Sequence, residues 1–144
     1  MTAHPPRIVY RDGYKYQLEA DYYVDTGIRP AAPIGHRYLR LLPSGQLRIA
    51  AGYAWDGPSG PTIDSSCFMR GSLVHDALYQ LMREGLLPGY YRDAADRLLQ
   101  RVCIEDGMTR LRAWWVYVGV SKFGADAASP THVKPVRIAP DRAA

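Results

Sequence analysis

The hydrophobic pattern of the sequence changes near its middle, and this change constrains the fold more than any other feature. In the first half, short runs rich in Tyr, Val and Ile alternate with turn signals such as Asp12-Gly13 and Pro43-Ser44-Gly45. This arrangement is typical of antiparallel strands. From about Ser66 the apolar residues recur with helical spacing, at Val74, Ala77, Leu78 and Leu81. Strands followed by helices in one chain predict an α+β fold.

Five segments of the first half are predicted to be strands: residues 7–10, 14–18, 20–24, 37–42 and 46–50. The first three are expected to form an antiparallel meander, and the last two a hairpin that turns at Pro43-Ser44-Gly45. Residues 52–66 contain three Gly and two Pro, which prevents a regular element from continuing through them. They are therefore predicted to form an ordered or functional loop.

Three helices are predicted in the second half. The first begins near Ser66 and stops at Gly85, the second covers residues 92–105, and the third covers residues 108–123. Residues 86–91 are then the short connection of an antiparallel helix pair. The third helix is apolar nearly all round at residues 113–118, so it is either buried on two sides or presents aromatic side chains to something else.

These elements define one α+β domain over residues 1–124, with a β region (1–51) and a loop and helical core (52–124). Residues 125–144, with three Pro, are predicted to form an extended tail. The 47% hydrophobic and 22% charged residues exclude a disordered chain. Neither a signal peptide nor an uncharged apolar run of the roughly 18 residues that a membrane span needs is expected. Cys67 and Cys103 fit neither a disulfide scaffold nor a zinc site.

The net charge of +4 comes from the last third of the chain, where residues 97–144 hold eight basic and four acidic residues. Such a bias favours an anionic membrane surface or nucleic acid, or is simply a solvated basic face. The basic residues are spaced singly and no nucleic-acid-binding motif accompanies them. Nucleic acid is therefore not expected as a partner.

Four residues of the helical half have the pattern of a general-base site. His75 and Tyr79 are four residues apart and share one helix face, whereas Asp76 points to a neighbouring face. An antiparallel second helix could bring Asp96 across from the imidazole. A carboxylate on one ring nitrogen leaves the other able to take a proton from water. The alternative is a structural histidine in a hydrogen-bonded pair.

The loop before the first helix allows two interpretations as well. Its carbonyl groups could point inward and bind a hard cation such as calcium, with Asp76 supplying a carboxylate. Alternatively, the loop is a turn-rich connector in which Asp64 or Ser66 caps the first helix.

Three stretches together resemble the core of the secreted phospholipase A-two superfamily. They are residues 52–60 (GYAWDGPSG), His75-Asp76-Ala77-Leu78-Tyr79 and Ala95-Asp96-Arg97-Leu98-Leu99. The layout is most similar to that of parvovirus capsid phospholipase domains, which also lack a disulfide framework. The loop and Val74-His75-Asp76 also resemble a family of short, uncharacterised bacteriophage and prophage proteins.

The resemblance implies the catalytic roles. It makes His75 the general base, Asp96 its orienting partner and Tyr79 the brace of Asp96. Water deprotonated by His75 would attack a lipid ester carbonyl. The backbone N–H of Gly57 and a calcium ion would hold the developing oxyanion.

The resemblance also implies a calcium site. Asp76 would supply its carboxylate, and the carbonyl groups of Trp55, Gly57 and Ser59 would complete it. Asp56 is an additional carboxylate that could bind the metal directly, or could replace the calcium loop with a hydrogen-bonded turn. Pro58 removes one backbone donor from this loop.

These features predict a phospholipase-like enzyme of phage origin, located in the bacterial cytoplasm or the virion. Its expected partner is an anionic phospholipid surface, contacted by an interfacial third helix. The residues of that helix are Trp114, Trp115 and Tyr117 beside Arg110, Arg112 and Lys122. The alternative is a non-catalytic virion or tail protein with the same core, which contacts other virion subunits through residues 125–144.

Overall fold

An antiparallel β region followed by a helical region makes up the fold, which confirms the predicted α+β class. The computed structural model describes residues 10–11, 16–57 and 66–128. The strands are β1 (Tyr10–Arg11), β2 (Tyr16–Leu18), β3 (Tyr22–Asp25), β4 (Ile34–Gly35), β5 (Leu39–Leu41), β6 (Gln46–Ile49) and β7 (Ala54–Trp55). The helices are α1 (Ser66–Arg83), α2 (Arg92–Glu105), α3 (Arg110–Phe123) and the short α4 (Ala125–Ala128).

The strands form two antiparallel sheets, in the orders β1-β2-β7 and β3-β6-β5-β4. The predicted hairpin is confirmed as β5 and β6. Its turn residue Gly45 has a φ of +92°, a conformation that favours glycine. The predicted meander is wrong after β2, because β3 pairs with β6 in the other sheet.

Asp21 contributes to this separation, beside the four-residue ladder that pairs β3 with β6. Its carboxylate lies just before β3 and accepts hydrogen bonds from the backbone N–H of Ala51 at 2.8 Å and from Arg48 at 2.9 Å. Arg48 belongs to β6, and Ala51 belongs to the turn that follows β6. The first residues of β3 are therefore held beside β6 rather than beside β2.

The β region continues past the predicted boundary at residue 51. Ala54–Trp55 forms strand β7, which pairs with β2. The backbone N–H of Leu18 donates to the carbonyl of Tyr53 at 2.8 Å, and that of Gly52 donates to Leu18 at 2.7 Å. The prediction that no regular element continues into residues 52–66 is therefore wrong for residues 54–55, while residues 58–65 lie outside the described ranges.

The helical half follows the predicted order. α1 packs against α2, and α2 packs against α3. The connection predicted at residues 86–91 ends in a short 3-10 helix, Gly89–Tyr91. α3 begins at Arg110 rather than at residue 108, because the Thr109 hydroxyl caps the helix by accepting from the N–H of Arg112 at 3.3 Å.

Two groups of buried apolar residues form the core. The larger group joins the two sheets to α1. Its fully buried members include Leu39, Leu41, Leu47, Ile49, Leu73, Leu78 and Leu81. In β5 the exposed Arg40 separates two of them, which is the alternation of a strand with one buried face. The smaller group lies among the three long helices and contains Cys67, Leu99, Cys103, Met108 and Ala113.

Arg70 of α1 joins the four-stranded sheet to the end of α2 through its buried guanidinium group. It donates to the Tyr22 hydroxyl of β3 at 3.0 Å, and to Glu105 and Asp106 at the end of α2 at 2.8 Å each. Burial alone would lower the pKa of Arg70, but its bonds to Asp106, Tyr22 and Glu105 outweigh burial and raise it.

The predicted extended tail begins with a helix. Ala125–Ala128 forms α4, which Gly124 separates from the end of α3, so the prediction is wrong for these four residues. Residues 129–144 lie outside the described ranges. Within the described part of the chain, no helix has both the length and the apolar character needed to cross a membrane.

Candidate functional site

His75 and Tyr79 lie one turn apart on the face of α1 that meets α2, as their spacing predicts. Their ring centroids are 4.1 Å apart. Both side chains are buried, with exposed fractions of 8% for His75 and 3% for Tyr79. Asp96 of α2 lies across from them and is 1% exposed.

Asp96 accepts two short hydrogen bonds at one oxygen. Its Oδ1 lies 2.7 Å from Nε2 of His75 and 2.6 Å from the hydroxyl of Tyr79. An ionised carboxylate can only accept, so Nε2 of the imidazole must carry a proton in this arrangement. In the neutral ring, Nδ1 is then unprotonated and able to accept a proton.

The environment of Tyr79 keeps its hydroxyl protonated. Burial raises the pKa of Tyr79, and the hydrogen bond to Asp96 raises it further. Tyr79 therefore remains a hydrogen-bond donor throughout the neutral pH range. It can stabilise a charged Asp96 without competing for the proton of His75.

Ser121 of α3 is a contact of Asp96 that the sequence did not reveal. Its hydroxyl lies 3.4 Å from Oδ2 of Asp96, and its backbone carbonyl accepts from Arg92 at 3.0 Å. The end of α3 also lies close to Tyr79. A Cβ atom added at Gly124 would be 2.5 Å from the Tyr79 hydroxyl. The only signal in the sequence is that Ser121 is the first hydroxyl after the apolar middle of this helix.

Asp76 lies on the neighbouring face of α1, as predicted. Its side chain is 35% exposed, and its Oδ1 is 4.0 Å from Nδ1 of His75. This distance is too long for a hydrogen bond but short enough for an electrostatic attraction to a protonated imidazole. Asp76 is therefore beside the ring nitrogen that Asp96 does not bind.

The expected metal ligands lie on two segments, residues 55–57 and α1, and the hydroxyl of Tyr53 joins the start of β7 to α1 by donating to Gln80 at 3.0 Å. Burial raises the pKa of Tyr53, and the charge of the Asp76 carboxylate raises it further, with a smaller effect of the Asp56 carboxylate. Such carboxylates, with backbone carbonyls, are the hard oxygen donors that calcium takes, so the donor set fits this ion in chemical kind. Ser59 lies outside the described ranges. In residues 10–11, 16–57 and 66–128, no three His, Cys, Asp or Glu side chains form a group that could hold a metal.

Trp55 and Gly57 lie against Tyr16. The indole of Trp55 is buried, is 5.5 Å from the Tyr16 ring and donates to the hydroxyl of Ser72 at 3.1 Å. Gly57 has a φ of +75°, and a Cβ there would come within 2.2 Å of the Tyr16 ring. The positive φ and the close Tyr16 ring both favour glycine at this position. The structure thus brings together His75, Tyr79 and Asp96, with Asp76 beside them, and holds Trp55 and Gly57 at the β2–β7 pair.

No family model, curated protein or solved structure matches the chain. A functional assignment therefore depends on the geometry of the site itself.

Proposed function

We propose that the protein is a phospholipase-like lipid ester hydrolase of phage origin in which His75 activates water. One observation carries the proposal: Nε2 of His75 bonds a buried carboxylate that is also held by Tyr79. This arrangement orients the ring and stabilises the imidazolium that forms when His75 takes a proton. The adjacent Asp76 would attract the same cation.

In the proposed reaction, Nδ1 of His75 takes a proton from a water molecule as its oxygen attacks the ester carbonyl. The tetrahedral intermediate then collapses, and the bond to the alcohol oxygen breaks. His75 returns the proton to that oxygen, which leaves as the lysolipid alcohol, while the fatty acid is released. Asp96 and Tyr79 act as positioning residues, since they contact His75 and each other rather than the ester.

Calcium is the expected cofactor, and when bound it would supply positive charge to the developing oxyanion. Asp76 and Asp56 would hold it, together with carbonyl groups of Trp55, Gly57 and Ser59. The backbone N–H of Gly57 is the proposed second donor to the oxyanion.

The test measures fatty-acid release from vesicles of mixed anionic phospholipids during a calcium titration. We expect calcium-dependent release by the wild type and its loss in Asp76→Asn and in His75→Asn. Asp25→Asn, which changes an exposed carboxylate in β3, is the matched control and should retain activity. Activity that survives in folded His75→Asn would show that His75 is not the base.

A non-catalytic virion or tail protein is the second candidate. One observation favours this candidate: every buried polar side-chain atom in the described ranges has a hydrogen-bond partner. This is also what a structural histidine pair requires. Absence of ester hydrolysis by the folded protein at every calcium concentration would favour this candidate. Its proposed subunit contact through residues 125–144 predicts that a chain ending at Gly124 loses association with other virion subunits in pull-down assays.

A further inference from the structure

The side of α3 that faces away from α2 is apolar and exposed. Leu111, Trp114 and Trp115 have exposed fractions of 68%, 47% and 61%, and we call these three residues the α3 face. The opposite side of the helix holds the buried Ala113 and packs Val116 and Val120 into the smaller core. A helix whose only task is to cover a core would present polar residues to water. The α3 face therefore indicates an interaction surface.

Tyr117 does not belong to this surface, although the sequence placed it with the two tryptophans. Its hydroxyl donates to Asp93 of α2 at 2.5 Å, and the guanidinium of Arg97 stacks on its ring at 5.2 Å. These contacts hold Tyr117 against α2.

The charge around the α3 face is positive. Within Arg110–Phe123 there are three basic residues, Arg110, Arg112 and Lys122, and no acidic one. Two copies of this face would bring like charges together, which disfavours a dimer through it.

We propose that the α3 face docks the protein on an anionic phospholipid bilayer. Leu111, Trp114 and Trp115 enter the headgroup region, where indole rings are favoured, and the surrounding basic side chains contact lipid phosphates. The same helix reaches the site, because Ser121 contacts Asp96. Docking through this helix would thus bring the protein that carries the His75 site to the lipid surface. This role of docking rests on the proposed function, whereas the docking surface itself can be tested separately.

The test measures binding to vesicles of ether-linked phosphatidylglycerol, which contain no ester to hydrolyse, and to vesicles of ether-linked phosphatidylcholine. Cosedimentation gives the affinity, and brominated alkyl chains on the same ether-linked lipids quench only tryptophans that reach the bilayer. We expect binding to phosphatidylglycerol alone, weakening as salt screens the basic residues, and strong quenching. The double variant Trp114→Ser/Trp115→Ser should bind at least about tenfold more weakly. Tyr90→Ser, which changes a 78% exposed tyrosine on the 3-10 helix, is the control and should bind as the wild type does.

Equal binding of the double variant and the wild type would overturn the proposal, as would equal binding to the two lipids. In size-exclusion chromatography, the wild type could elute as a dimer and the double variant as a monomer. This result would assign the α3 face to a second copy of the chain, and it would also overturn the proposal. Hydrolysis of a monomeric, water-soluble ester separates the two proposals. If both hold, the double variant retains this hydrolysis. If no variant hydrolyses the ester but the wild type still binds vesicles, the proposed function fails and the docking surface stands.

Discussion

Replacing Tyr79 with phenylalanine removes one of the two short bonds to Asp96 and leaves the packing of the ring unchanged. The lost bond is 2.6 Å long and joins the hydroxyl of Tyr79 to the carboxylate of Asp96, two residues that are 3% and 1% exposed. A hydrogen bond to a charged group contributes about 1.5–3 kcal/mol. We expect Tyr79→Phe to lower the free energy of unfolding by about 2 kcal/mol. In a chain of this length this corresponds to a decrease in Tm of roughly 7 °C.

The assay is urea unfolding followed by far-UV circular dichroism, with Tyr53→Phe as the matched control. The hydroxyl of Tyr53 is also buried, but it donates to the neutral amide oxygen of Gln80 at 3.0 Å. Its loss should cost about 1 kcal/mol. The comparison cancels the general effect of removing a tyrosine hydroxyl. If Tyr79→Phe is no more destabilising than Tyr53→Phe, Asp96 is not a buried charge held by Tyr79, and the argument for an oriented His75 loses its basis.

Three further predictions concern packing, pH dependence and thiol chemistry. Gly71→Ala should destabilise the protein by about 1 kcal/mol in urea unfolding, because its Cβ would lie 2.9 Å from both Cys103 and Leu99, and overpacking outweighs the gain in helix propensity. The bonds from Ala51 and Arg48 hold the pKa of Asp21 below its usual range. The stability that these bonds confer is therefore present above the unfolded pKa of about 3.9, and it is lost as the pH falls through the folded pKa. The difference in Tm between wild type and Asp21→Asn should therefore be largest near neutral pH and shrink in acid, and a constant difference would contradict this. Burial raises the pKa of the Cys103 thiol to about 12, with a smaller effect of Cys67. Iodoacetamide at pH 8 should therefore label this thiol only after the protein unfolds, and mass spectrometry would detect the label.

The part of the site that the sequence predicted is the part that lies on regular helices. The spacing of four between His75 and Tyr79 determines a shared face, and a short connection between two helices determines that Asp96 comes back across from it. Ser121 could not be predicted in this way, because its contact depends on how closely α3 packs against the first two helices. That distance is set by tertiary packing, which has no local signature in the sequence.

The β region shows the same limit. The strand segments and the turn at Gly45 follow from residue preferences, and the β5–β6 hairpin follows from its short turn. The separation of β2 and β3 into different sheets involves contacts between distant residues instead, such as the β3–β6 ladder and the bond between Asp21 and Ala51, which are 30 residues apart. Periodicity can predict a strand, but its partner is chosen by such distant contacts.

The buried guanidinium of Arg70 has a consequence for how the protein opens. It bonds at the same time to β3, through Tyr22, and to the end of α2, through Glu105 and Asp106. If the end of α2 moved away alone, the buried guanidinium would lose its carboxylate partners, at a cost of about 3–5 kcal/mol. If β3 moved away alone, it would lose the bond to the Tyr22 hydroxyl, at a cost of about 1.5–3 kcal/mol. The β region and the helical half should therefore behave as one cooperative unit, in which the amide protons of β3 and of the end of α2 exchange with solvent through the same opening.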